Sequence, residues 1–214
     1  MMIVKKPIQY AIIIDKQGDY GVFDTMNDAI DSAYEACEEY SKYSHSRRND
    51  IINAVIKELK FHIEELSLMT CKQIGTNSYD DLLCENMNAL ANSENDKYHE
   101  AMLTSNNKFN NLENSFTVNG VVTPSSNPIK TIINNSISML RAGNAVVFSS
   151  NKTAKHVFAH TIKVINNAIE TANGPKNLIV TVKEPSIENT NIMIEHEKIT
   201  LISAIDTNSE KIAL

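Results

Sequence analysis

The sequence contains little that would cross-link this protein or anchor it in a membrane. Its 214 residues include only three cysteines, Cys37, Cys71 and Cys84. An odd number of cysteines without close spacing fits reduced thiols better than a disulfide framework or a zinc site. No apolar run approaches the roughly 20 residues that a membrane-spanning helix needs. We therefore expect no disulfide scaffold and no membrane segment.

An excess of positive charge and a signal peptide are also lacking. Lys and Arg number 20 against 26 Asp and Glu, which gives a formal net charge of −6. Nucleic-acid-binding proteins usually concentrate Lys and Arg on one face, so nucleic acid is not an expected partner. Pro7 and the short, strand-like Ile8–Ile14 leave no room for a signal-peptide core. A cytoplasmic location is the expectation.

Metal binding is not predicted either. The six histidines are scattered, and only His156 and His160 lie four residues apart on a predicted helix. That spacing could hold a metal ion, but the Glu of an H-E-x-x-H motif is missing between them. We therefore interpret both histidines as ordinary solvated side chains and expect no metal ligands in this chain.

The sequence does contain an alternation of short apolar runs and amphipathic segments. A strand ending at Val122 meets the turn TPSSNP at residues 123–128, whose two prolines stop the ladder. A helix from Pro128, ended by Gly143, leads to the apolar strand Ala145–Phe148. The pattern then predicts a helix over 152–172, a strand at Leu178–Val182, a helix over 186–195 and a buried strand at Ile199–Ser203.

This βαβαβαβ order predicts an α/β fold, a Rossmann-like open parallel sheet with helices on both faces. It occupies 117–214, an incomplete cofactor-type domain, and follows a helical region with an Asn-rich loop over 25–116. Residues 1–24 are interpreted as a β-hairpin, formed by Ile8–Ile14 and Asp19–Phe23. That segment is either an edge strand, which we favour, or a docking element.

Two long helices and a shorter one are predicted in the helical region. The first begins after Thr25 and places Cys37 on its apolar stripe, where cysteine behaves as a small hydrophobe. The second runs from about Arg47 to Gln73 with Gly75 as its cap, and the third spans Tyr79–Ala91.

Three stretches of the sequence resemble one known family. TPSSNP, TIINNSISMLRAGNAVVF and NNAIETANGPKNLIVTVKEPSIENTN are similar to the cofactor domain of CoA-acylating aldehyde dehydrogenases. The resemblance is to the acetaldehyde and propionaldehyde dehydrogenases of ethanolamine and propanediol utilisation, and it covers roughly residues 21–204. In that family a cysteine thiolate of a separate C-terminal domain attacks the aldehyde, hydride leaves to NAD, and the thioester passes to coenzyme A.

The resemblance also implies roles for residues near the turn. Thr123, Pro124 and Ser125 would line the nicotinamide side of NAD, and Ser149 and Ser150 would contact the ribose. The amide of Asn127 would be the oxyanion donor, although the same side chain could simply cap the helix that begins at Pro128. Both interpretations of Asn127 remain open at this stage.

Two departures from the family bear on activity. None of the three cysteines stands where the resemblance places the nucleophile, and we expect the cysteine domain to be absent from this chain. Where the family has a Thr-Gly-Gly turn beside the diphosphate, this chain has Ala204-Ile205-Asp206-Thr207. A β-branched residue and a carboxylate oppose a diphosphate there, so NAD binding should be weakened or lost.

Three hypotheses follow. The chain is a truncated, catalytically silent aldehyde dehydrogenase that forms homo-oligomers or associates with a full-length paralogue. Alternatively, it is one part of a split enzyme that forms acyl-CoA with a partner bearing the cysteine. The third is a non-catalytic binding or scaffold subunit, with the cytoplasm or a bacterial microcompartment as its location.

Overall fold

A computed structural model describes residues 19–75, 78–94, 117–124 and 126–204. Those ranges form a parallel sheet of five strands and six α-helices. The strands are β1 (Val22–Phe23), β2 (Val118–Val122), β3 (Ala145–Ser149), β4 (Ile179–Val182) and β5 (Ile199–Ala204). The helices are α1 (Met26–Tyr40), α2 (His45–Ile74), α3 (Tyr79–Glu94), α4 (Pro128–Ala142), α5 (Lys155–Thr171) and α6 (Ile187–Glu195).

The strand order is β1-β4-β3-β2-β5, and every pairing is parallel. From β2 the chain adds β3 and then β4 on one side, and it crosses back to place β5 on the other side of β2. The direction of winding therefore reverses between β2 and β5. Ligands of open α/β sheets bind beside such a reversal, outside the carboxyl ends of the strands.

Helices cover both faces of the sheet, as predicted. One face carries α1, which contacts β3 and β4, and α6, which contacts β2, β3 and β5. The other face carries α4 and α5, which contact β3 and β4 respectively. The long helix α2 packs on α4 and α5, and α3 packs on α2 and α4. The Rossmann-like open sheet expected from the sequence is confirmed.

The apolar patterns explain these layers. The whole of β3 is buried, as expected for a central strand, and α4 buries Ile129, Ile132 and Ile137 in the core. The helical region and the sheet share one hydrophobic core, to which α1 contributes Ile30. Burial of each such side chain contributes about 1.5–3 kcal/mol.

Several details differ from the sequence-based expectations. The strand at 199–203 was expected to be buried, but β5 lies at the sheet edge and is largely half-exposed. Of the expected hairpin, Ile8–Ile14 lies outside the described residues, while Val22–Phe23 pairs in parallel with β4 as an edge strand. The helix expected from 152 begins with a 3₁₀ turn at Lys152–Ala154. The Asn-rich loop also lies outside the described residues.

Two helices end in left-handed glycine caps that differ in their surroundings. Gly143 closes α4 at φ 85°, and Gly75 closes α2 at φ 76°. A Cβ on Gly143 would collide with the Arg48 guanidinium, whereas a Cβ on Gly75 would meet nothing within 4 Å. The Arg48 side chain is held there by a 2.9 Å hydrogen bond to the Ser41 carbonyl.

We expect Gly143→Ala to lower the free energy of unfolding by about 2 kcal/mol and Gly75→Ala by about 1 kcal/mol. Both variants force an alanine into the left-handed conformation, but only Gly143→Ala also displaces Arg48. Urea denaturation of the two variants measures the difference. Equal losses at both positions would show that Arg48 moves aside without cost.

Candidate functional site

The carboxyl ends of β2 and β3 bring together residues that are far apart in the sequence. Thr123 follows β2, and Ser149 ends β3. The Thr123 amide donates a 3.1 Å hydrogen bond to the Ser149 carbonyl, and the Thr123 hydroxyl donates a second one of 3.1 Å to the same oxygen. Both side chains are buried. The two bonds fix the loop after β2 against the end of the neighbouring strand.

The Ser149 hydroxyl is held by α6. It lies 2.7 Å from the Thr190 hydroxyl, which itself donates to the Ser186 carbonyl at 3.0 Å. Because Thr190 uses its hydrogen on Ser186, Ser149 must be the donor of the shorter bond. Ser149 is 3% exposed. The half-buried residues Pro124 and Ser150 are therefore better placed than the Ser149 hydroxyl to meet a ligand at this edge.

Asn127 caps α4, and its other polar atom is also engaged. Its Oδ1 accepts a hydrogen bond of 3.3 Å from the Lys130 amide, and its Nδ2 donates to Glu85 Oε2 at 3.2 Å. The side chain is 7% exposed. The Glu85 carboxylate also lies 3.4 Å from Lys130 Nζ. Acting as an oxyanion donor would require Asn127 to exchange Glu85 for the substrate oxygen.

Part of the expected site lies outside the described residues. These are Ser125, which the resemblance placed beside nicotinamide, and Ile205 and Asp206, which the sequence argument set against a diphosphate. The described edge instead ends at Ala204, which pairs with Val122 across the β2–β5 reversal. The start of α4 lies at the same edge and directs the positive end of a helix dipole toward it.

The cysteine thiols differ in their surroundings. Cys37 lies on the buried face of α1, and its Sγ donates to the Thr117 carbonyl at 3.4 Å, at the amino end of β2. Burial raises the pKa of the Cys37 thiol, which keeps it protonated and unreactive. Beside it lies a cavity of about 40 Å³, which has room for about one water. Cys71 and Cys84 are on α2 and α3, outside the sheet.

Several contacts at the site could not be anticipated from local sequence. Glu85 reaches Asn127 from α3, and Thr190 reaches Ser149 from α6. Elsewhere, His160 lies beside His62 and Glu65 of α2, while His156 is exposed. No local spacing predicts any of these contacts, because each joins two elements distant in the chain.

Among the helices of the described ranges, none combines the length and the hydropathy that a membrane-spanning segment requires.

Comparison with known proteins gives consistent matches. The model of the aldehyde dehydrogenase family matches residues 13–209. The CoA-propanoylating propanal dehydrogenase of Citrobacter freundii is 38% identical over 185 residues, which cover 86% of this chain and 40% of that protein. The acetylating acetaldehyde dehydrogenase EutE of Salmonella typhimurium is 33% identical over 186 residues, which cover 86% of this chain and 39% of that protein.

A solved structure agrees with these matches. The crystal structure of Rhodopseudomonas palustris propionaldehyde dehydrogenase with bound propionyl-CoA superposes with a TM-score of 0.71 and 29% sequence identity. The match covers 88% of this chain and 42% of that chain. The chain thus spans about 40% of the length of the curated relatives it matches.

Proposed function

We propose that this chain, which belongs to the aldehyde dehydrogenase family, provides the NAD-binding side of a CoA-acylating aldehyde dehydrogenase. The expected substrates are short aldehydes such as propanal and acetaldehyde, with coenzyme A as the acyl acceptor. The observation that carries the proposal is the bonded pair Thr123 and Ser149 at the carboxyl edge of the sheet, next to the β2–β5 reversal. Dinucleotides bind at this position in doubly wound sheets.

The residues at this edge suit the parts of a dinucleotide. Thr123 and Pro124 would shape the nicotinamide side, and the half-exposed Ser150 would meet a ribose hydroxyl. We propose a nicotinamide contact for Ser125 from the family resemblance alone, since it lies outside the described residues. Ser149 would act by positioning, since its hydroxyl holds α6 and its carbonyl holds Thr123. Bound NAD would supply the hydride acceptor.

The acyl-transfer step needs a thiolate that this chain does not place at the edge. Cys37 is a protonated thiol with a raised pKa, at the opposite edge of the sheet. Asn127 could stabilise a developing oxyanion only after releasing Glu85. We therefore propose that the chain does not complete the reaction by itself and that the nucleophilic cysteine comes from a cysteine domain.

Nucleotide binding at this edge predicts a specific charge effect. We expect NAD to bind with a dissociation constant above the micromolar range. Ser150→Glu should weaken binding at least tenfold, because the longer side chain would occupy the ribose position and its charge would repel the neighbouring diphosphate. The matched control is Ser46→Glu, which adds the same charge at an exposed residue in the first turn of α2. That end of α2 lies at the amino edge of the sheet, away from the proposed nucleotide site. There the Arg47 guanidinium donates a 2.8 Å hydrogen bond to the Ala172 carbonyl.

Titration of NAD into the labelled chain, followed by NMR, measures both effects. The expected amide shifts centre on Thr123, Ser149 and Ser150, and only in Ser150→Glu does their saturation require at least tenfold more NAD. Submicromolar binding would contradict the argument from Ile205 and Asp206. Absence of any NAD-dependent shift would overturn the proposal in favour of the alternative, a non-catalytic scaffold subunit.

A further inference from the structure

A group of metal-binding side chains lies away from the nucleotide edge, between α2 and α5. His62 and Glu65 project from α2, and His160 projects from α5 to meet them. His62 Nδ1 is 3.0 Å from Glu65 Oε2, and His160 Nε2 is 3.6 Å from Glu65 Oε1. One ligand atom from each residue lies within 4.8 Å of the other two. The three side chains are between 23% and 30% exposed.

These separations are close to those of ligands on a shared ion. Zinc binds imidazole nitrogen and carboxylate oxygen at about 2.0–2.2 Å, so two ligands of a tetrahedral site stand about 3.3 Å apart. The two observed nitrogen-to-oxygen distances fall on either side of that value. A rotation of the Glu65 carboxylate and small movements of the two rings would bring all three atoms onto one ion.

His160 is prepared to act as a ligand. Its Nε2 is buried and has no hydrogen-bond partner among the residues that the structure describes, because Glu65 at 3.6 Å is too distant for one. Neutral imidazole binds metals through an unprotonated ring nitrogen, and this buried Nε2 is available to serve as one.

The second nitrogen of His62 also has the surroundings of a metal-bound imidazole. Its Nε2 lies 3.4 Å from the Glu58 carboxylate, one turn earlier on α2. Metal-bound histidines commonly direct their remaining N–H at a carboxylate, which fixes the tautomer and orients the ring. Without an ion, Nδ1 of His62 is hydrogen-bonded to Glu65 at 3.0 Å, as donor to that carboxylate. With the proton on Nε2 and directed at Glu58, the Nδ1 lone pair would be available to an ion beside Glu65.

We propose that His62, Glu65 and His160 bind one divalent transition-metal ion, with Zn²⁺ as the best match. Two imidazoles and one carboxylate suit zinc, whereas magnesium and calcium prefer sites made of oxygen ligands alone. Water completes the coordination from the exposed side. The ion joins α2 of the outer layer to α5 beside the sheet. The earlier expectation of no metal considered only His156 as the partner of His160, and His156 is exposed.

Calorimetric titration of Zn²⁺ into the metal-free 214-residue chain tests the proposal. We expect one saturable site, and binding at least tenfold weaker in His160→Asn and in Glu65→Gln. His156→Asn is the matched control, since it removes an exposed histidine one turn earlier on the same helix, and its affinity should be unchanged. Zn²⁺ should also raise the Tm of the wild-type chain and the control but not of the two ligand variants.

Several outcomes would overturn the site. These are a lack of saturable binding, an equal effect of His156→Asn, or full binding in the His160→Asn/Glu65→Gln double variant. The last result would place any bound zinc at other histidines or at Cys71 and Cys84. Circular dichroism of each variant without metal checks that the fold is retained, so that lost affinity reports on the ligands. If Glu65→Gln alone keeps its fold, it decides the question.

Discussion

Asn166→Asp is expected to lower the free energy of unfolding by about 3–5 kcal/mol at neutral pH, because it places a carboxylate against backbone carbonyls in the core. Asn166 lies on α5 and is 0% exposed. Its Nδ2 reaches the carbonyl oxygens of Ile179 at 2.5 Å, Tyr20 at 3.1 Å and Ile162 at 3.1 Å. One side-chain amide thus ties α5 to β4 and to the turn before β1.

The substitution keeps the shape of the side chain and removes only its donor. Burial and the facing carbonyl oxygens disfavour the charged carboxylate, and this raises the pKa of the new Asp. Once protonated, the Asp again has one hydrogen-bond donor. The deficit should therefore be largest above that raised pKa and shrink as the pH falls. Urea denaturation at two pH values measures both effects.

The control for this prediction is Asn135→Asp on α4. Asn135 is half-buried, and its Nδ2 makes one local bond of 2.9 Å to the Thr131 carbonyl. We expect a loss of about 1 kcal/mol or less there, since water can solvate the new charge. Equal losses in the two variants would mean that Asn166 does not hold these elements together.

The unit from β2 to β3 was predictable because each of its boundaries has a local cause. Two prolines end β2, Pro128 suits the first turn of α4, and Gly143 takes the left-handed conformation that closes it. Asn127 was expected to cap α4 on the same grounds, and its Oδ1 does so. Such signals act within a few residues, which is why sequence alone carries them.

The strand order and the site contacts had no such local cause. An apolar run such as Ile199–Ser203 is consistent with a buried strand, yet β5 lies at the edge because the crossover from β4 returns past β2. The hydrogen bonds that Asn127 donates to Glu85 and Ser149 donates to Thr190 depend on how α3 and α6 pack. The pairing of His160 with His62 likewise follows from the packing of α2 on α5.

The second large effect concerns the reaction itself. We propose for this chain the nucleotide side of the chemistry and no catalytic thiolate, since Cys37 is buried with a raised pKa and Cys71 and Cys84 lie on α2 and α3, outside the sheet. Nucleophilic catalysis by cysteine requires a thiolate beside the reacting carbon. Without it the acyl-enzyme cannot form, whatever the affinity for NAD. We therefore expect this chain by itself to have no NAD- and CoA-dependent aldehyde dehydrogenase activity.

The direct measurement supplies the purified 214-residue chain with propanal, NAD and coenzyme A and follows NADH and acyl-CoA together. The propanal dehydrogenase of Citrobacter freundii, assayed in parallel, serves as the positive control. We expect no product above the protein-free blank. Turnover by this chain that is abolished by Asn127→Ala or Cys84→Ser would contradict it.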